Sequence, residues 1–159
     1  MRTRYETQDD LDRERLVMTA VGKAWGVEFT KLPDRYRMDY VLTVGNIGVG
    51  FAEIKCRTHT STSYDTWFIS SEKLLTAQSW EALGLPCTAI VQFADGIFTV
   101  PLKDPDYYAP GGRSDRADGD DQEVMAHFKS ARLTRFRGDS KVTRTLVAIP
   151  VDRKWWEVQ

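Results

Sequence analysis

Two apolar, β-rich runs joined by a glycine-broken turn constrain this chain more than any other feature. Residues 39–44 read Asp-Tyr-Val-Leu-Thr-Val and residues 51–56 read Phe-Ala-Glu-Ile-Lys-Cys, with Gly45, Gly48 and Gly50 in between. Such runs about a Gly-Asn turn predict a β-hairpin. Side chains alternate along a strand, so Glu53 and Lys55 share one face while Ile54 and Cys56 share the other. Asp39 stands where the first strand begins. Holding two carboxylates and an ammonium beside a core is costly unless something compensates them. A divalent cation would compensate them and would bring chemistry as well.

The rest of the composition sets limits on this reading. A length of 159 residues fits one domain with a substantial core, and 42% hydrophobic with 28% charged residues is ordinary for a globular protein. No long apolar run suggests a membrane span, and the first residues lack the apolar core of a signal peptide, so a cytoplasmic, intracellular protein is expected. Cys56 and Cys87 with only His59 and His127 give neither a disulfide framework nor a zinc pattern. A net charge of −1 does not announce a nucleic-acid binder, so any such surface must be local.

Along the chain, residues 8–25 predict a helix, with Asp9 or Asp10 as N-cap and Leu16, Val17, Ala20, Val21 and Ala24 at helical spacing before Gly26. Glu14 lies on or beside that stripe. A short strand is expected within 27–32, then the hairpin, then a polar loop over 57–63. Ser70 and Ser71 are expected to cap a second helix carrying Leu74, Leu75, Ala82 and Leu83. Residues 87–93 and 97–100 predict a second hairpin about Asp95-Gly96. Seven acids against Arg113 and Arg116 over 104–123 suggest a long surface loop, and six basic residues against Asp139 follow over 127–144. A last strand is expected over 142–149, with Trp155 and Trp156 closing the core or marking a dimer contact. The organisation expected is a single domain over 1–159: a core over 8–102, an acidic loop over 103–126 and a β-containing C-terminal elaboration over 127–159.

This order, with Asp39, Glu53 and Lys55 at these places, resembles the PD-(D/E)XK nuclease superfamily, in particular its compact phage, prokaryotic and Holliday-junction-resolvase-like members. The resemblance covers residues 8–102. It implies a mixed α/β (α+β) fold with a restriction-endonuclease-like α-β-β-β-α-β core, a mixed sheet flanked by helices. It also implies a metal-dependent endonuclease hydrolysing DNA phosphodiester bonds. Asp39, Glu53, the carbonyl of Ile54 and Glu14 would hold Mg²⁺, with Mn²⁺ able to substitute. Asp39, Glu53, Lys55 and Glu14 would form the catalytic set, with Lys55 orienting the attacking water. The sequence departs from the family pattern in having Met38 where the proline stands, and it lacks the Gln-X-X-X-Tyr motif of the exonuclease branch.

Arg57 and His59 leave the catalytic strand directly and are the first candidates for substrate contact. Ser70 and Ser71, with Lys73 one turn in, would offer a phosphate seat at a helix N-terminus, or serve simply as caps. DNA is the partner implied, with RNA left open; no membrane is implied, and homodimers are common in the superfamily. The competing reading is a nuclease-fold protein without cleavage that binds nucleic acid or a host protein.

Overall fold

The first helix begins one residue before the expected caps, and the reason is local chemistry. Thr7 accepts from the backbone N–H of Asp10 while the Asp10 carboxylate accepts from the N–H of Thr7, a reciprocal capping box. Asp10 therefore serves the cap from inside the helix. The computed structural model describes residues 7–112 and 122–138. The strand expected over 142–149 and the Trp155–Trp156 pair lie outside the described residues.

Helix α1 (Gln8–Trp25) buries Val17, Met18, Val21 and Trp25 and ends at Gly26, whose φ of 67° is left-handed. Strands β1 (Glu28–Lys31), β2 (Tyr40–Val44) and β3 (Ile47–Cys56) form an antiparallel meander. The chain then passes through β4 (Thr66–Ser70) and helix α2 (Ser71–Ala82) before β5 (Cys87–Phe93) joins β3 in parallel. Strand β6 (Gly96–Pro101) completes the second hairpin, and short β9 (Thr134–Arg135) pairs with it. The resulting mixed sheet has the order β1-β2-β3-β5-β6-β9. The expected core order of helix, three strands, helix and strand is therefore present.

Each face of this sheet has its own core. Tyr40, Leu42, Ala52, Ile54 and Ile90 pack beneath α1. Phe51, Ala89, Val91 and Val100 face the other way, toward Leu74 and Ala77 of α2. Alternation along β3 consequently sends Glu53 to the α2 side, opposite α1. Strand β3 can approach the start of β5 closely because Gly50 has no side chain. A Cβ there would lie 2.7 Å from the Pro86 carbonyl oxygen, to which Phe51 N–H already donates.

The expectation of a continuous acidic loop over 103–126 is corrected. Strand β7 (Tyr107–Gly111) and strand β8 (Glu123–Lys129) lie at its two ends and build, with β4, a second antiparallel sheet of order β4-β8-β7. Pro110 and Gly111 weaken the strand signal in the sequence, yet β7 is an edge strand, where a proline removes no needed donor. The inner face of this sheet, Trp67, Ile69, Ala126 and Phe128, closes the α2-side core. Two of the basic residues after β8 hold chain segments together: Arg132 donates to the carbonyls of Lys103 and Asp104, and Arg135 to that of Asp95.

Candidate active site

Strand β2 pairs with β3 only as far as Tyr40 opposite Ala52. Beyond that point no strand among the described residues pairs with β3 on this side, and Asp39 folds over the gap. The Ile54 N–H donates to Asp39 Oδ2 at 2.9 Å, fixing the carboxylate at the strand's open flank. In a sheet, the N–H and C=O of one residue project to the same flank, so the Ile54 carbonyl faces that side too.

Glu53 is fully buried. Its Oε1 accepts from Lys55 Nζ at 2.6 Å and from Lys73 Nζ at 2.5 Å, while Lys73 Nζ also lies 3.5 Å from Asp39 Oδ1. The other oxygen, Oε2, is buried and has no hydrogen-bond partner among the described residues. Two carboxylates and two ammoniums thus meet at one end of β3. Burial pushes the Glu53 carboxyl up, and Asp39 adds to the shift, outweighing the two lysines. Asp39 is also penalised by burial, but Lys55, Lys73, the Ile54 N–H and Lys31 more than offset this and hold it below the ordinary range. Burial works against the Lys55 ammonium, yet Glu53 and Asp39 hold its pKa above the usual lysine range.

Lys73 is the correction to the expected substrate seat. It does not stand out beside the helix N-terminus but reaches back into the carboxylates. Residues 73 and 77 share a helix face, and Ala77 is in the core. Ser70 makes no side-chain cap; its hydroxyl donates to Glu123 of β8 at 2.8 Å. Ser71 opens α2 in a half-buried position.

Glu14 is engaged elsewhere. Its Oε2 accepts from Lys31 Nζ at 2.7 Å and from the Tyr40 hydroxyl at 3.4 Å, and Lys31 lies over the Tyr40 ring. Burial, followed by smaller effects of Glu14 and Asp39, pushes the Tyr40 phenol up to about 12. Glu14 therefore holds Lys31 on the flank of Asp39. Among the described residues no three His, Cys, Asp or Glu side chains form a metal-holding group, which separates Glu14 from the Asp39–Glu53 pair. The cause is the layer arrangement, since α1 packs on the face of the sheet opposite Glu53.

Arg57 and His59 line a cleft of about 770 Å³ that opens from Lys55 and runs to the second sheet. His59 is held between rings, 4.9 Å from Tyr64 and 5.4 Å from Phe93, and its Nδ1 lies 3.0 Å from the Thr60 carbonyl.

The donor set suits a hard divalent cation. Glu53 Oε2 is a buried acceptor without a partner among the described residues, Asp39 is held at the same place, and the Ile54 carbonyl faces the same flank. Magnesium is commonly held by one or two carboxylates, with water and substrate phosphate completing its shell. Two protein carboxylates are therefore a sufficient set.

A strand-borne Asp and Glu-X-Lys at the open end of a mixed sheet is the arrangement of a PD-(D/E)XK nuclease core. The chain belongs to the family described as "Phage putative PDDEXK endonuclease", whose sequence profile matches residues 1–138. Among solved structures it is similar to Hjc, a Holliday junction resolvase from the archaeal hyperthermophile Archaeoglobus fulgidus. The two share 14% identity over 60% of this chain and 74% of that one, with a TM-score of 0.47. No curated protein matches the chain.

Proposed function

We propose that this protein is a metal-dependent endonuclease that hydrolyses DNA phosphodiester bonds at the Asp39–Glu53–Lys55 site. The observation that carries the reading is the state of Glu53: a fully buried carboxylate with one oxygen shared by two lysines and the other without a partner among the described residues. A purely structural ion pair would satisfy both oxygens, since an orphaned buried acceptor costs about 1–3 kcal/mol.

When bound, a divalent cation would supply Lewis acidity toward the phosphate and lower the pKa of a coordinated water. Asp39 Oδ, Glu53 Oε and the Ile54 carbonyl would hold it. Lys55, about one third exposed and facing the cleft, orients the attacking water and stabilises charge growing on the phosphate. As an ammonium, the form that Glu53 and Asp39 favour, it acts as a donor and electrostatic partner. Lys73 neutralises the carboxylates in the absence of metal, and a bound cation would free it for the phosphate. Arg57 and His59 bind the substrate backbone along the cleft.

Cleavage of labelled duplex, single-stranded and four-way-junction DNA in Mg²⁺ or Mn²⁺, with EDTA controls, tests the reading. Asp39→Asn, Glu53→Gln and Lys55→Ala should each lower the rate by about 10²-fold or more, the range for loss of one charge-stabilising group. Unchanged cleavage by Glu53→Gln or Lys55→Ala would sink the site assignment.

A further inference from the structure

The second sheet carries an outward face that the catalytic proposal does not use. Register places Phe68 of β4 opposite His127 of β8, and His127 opposite Tyr107 of β7. Three rings therefore form a row directly across three strands. The Phe68 and His127 centroids are 5.3 Å apart, and Tyr107 stacks on His127 at 4.6 Å with only 10° between the planes. The Thr66 hydroxyl, 3.0 Å from His127 Nδ1, fixes the middle ring. The core is served by the other face of the sheet, where Trp67, Ile69, Ala126 and Phe128 are buried. Phe68 and Tyr107 remain 43% and 46% exposed.

We propose that this row is a stacking platform that unpaired bases of the DNA substrate extend at its end rings, Phe68 on the cleft side and Tyr107 on the other. Phe68 and His127 line the same cleft as Lys55, Arg57 and His59, so the platform and the reacting end of β3 are two walls of one channel. A strand whose phosphates run along Lys55 and Arg57 turns its bases toward the aromatic wall. Because the rings stand face to face, an unpaired base adds to the row by stacking on an end ring, Phe68 or Tyr107, and such stacking is indifferent to sequence because every base has a π-face. In a duplex the bases are stacked on each other and cannot reach the rings. The platform therefore selects a single-stranded flap, gap or branch next to the cut, and deepens the endonuclease reading on which it rests.

Anisotropy binding in EDTA tests the platform without cleavage. The probes are an oligothymidylate, an abasic strand of the same length and charge, and a blunt duplex. The wild-type protein should bind oligothymidylate about five- to a hundredfold more tightly than the abasic strand, the effect of one or more stacked bases. Phe68→Ala and Tyr107→Ala should bring that ratio toward one while leaving abasic and duplex binding unchanged, and Phe68→Trp should preserve it. An equal affinity of the wild type for the two single strands overturns the proposal. So does a ratio that survives Phe68→Ala and Tyr107→Ala together, as it would if an apolar peptide were the true occupant. The two readings separate cleanly. Base-dependent binding that Phe68→Ala abolishes, in a protein that cuts no DNA with Mg²⁺ or Mn²⁺, removes the nuclease and keeps the platform. Cleavage with a binding ratio of one does the reverse.

Discussion

Adding a divalent cation to the purified protein is the perturbation that asks most directly what Glu53 is for. The carboxylate is fully buried, Oε1 is held by Lys55 and Lys73, and Oε2 has no partner among the described residues. A cation that binds the native fold and not the unfolded chain contributes about 2.7 kcal/mol at a hundredfold excess over its dissociation constant. For a domain of this size each kcal/mol raises the melting temperature by about 2–4 °C, so the shift expected at saturating Mn²⁺ is about 5–11 °C. Glu53→Gln keeps the shape and removes one of the two carboxylates, and should reduce the shift to below about 2 °C. The pH dependence carries a second sign. Because burial raises the Glu53 pKa, proton and cation compete for the same oxygens, and the shift should grow as the pH rises through the folded-state value. Without metal, the stability contributed by Glu53 is fully present below its unfolded pKa and is lost as pH rises through the folded one. Glu53→Gln lacks that loss, so its stability relative to wild type should improve from acid to neutral pH. Differential scanning fluorimetry across pH, with and without Mn²⁺, measures both. Equal metal-induced shifts in wild type and Glu53→Gln, or none in wild type, would refute the reasoning.

Other perturbations separate the parts of the site. Lys73→Met should destabilise the metal-free protein by about 1–3 kcal/mol, since it strips a counter-ion from buried carboxylates, yet should tighten Mn²⁺ binding measured by calorimetry. A loss of both stability and affinity would mean that Lys73 only holds α2 in place. Gly50→Ala should lower stability by about 2–4 kcal/mol in chemical denaturation, because its Cβ would press on the Pro86 carbonyl oxygen and push β3 from β5. Glu14→Gln should lower cleavage less than Asp39→Asn does in the same assay, because Glu14 acts by holding Lys31; an equal loss would restore Glu14 to the metal.

The hairpin, both helices and the parallel return to β5 were legible because each rests on local signals: alternation about Gly45, helical spacing of Val17 and Val21, and the apolar run from Cys87. The second sheet was not, since its strands come from residues 66–70, 107–111 and 123–129, and only their pairing shows what each is for. Phe68 and Tyr107 are unremarkable in sequence and become a surface only when His127 is placed between them. Asp39, Glu53 and Lys55 could be singled out because charges within apolar strands are conspicuous. Lys73 was singled out only for a phosphate seat at the helix N-terminus, since a lysine in the first turn of a helix ordinarily faces water. Its reach to Glu53 depends on how α2 lies against the sheet, a tertiary fact.

The pairing of Lys55 and Lys73 with Asp39 and Glu53 also bears on the order in which ligands arrive. Two bare carboxylates would carry a charge of −2 and repel a phosphodiester until a cation came. Here the resting cluster sums to zero, so a DNA strand meets no electrostatic barrier before the metal does. Either ligand can then enter first, and rapid mixing should give the same assembly whether the protein is preincubated with Mg²⁺ or with DNA.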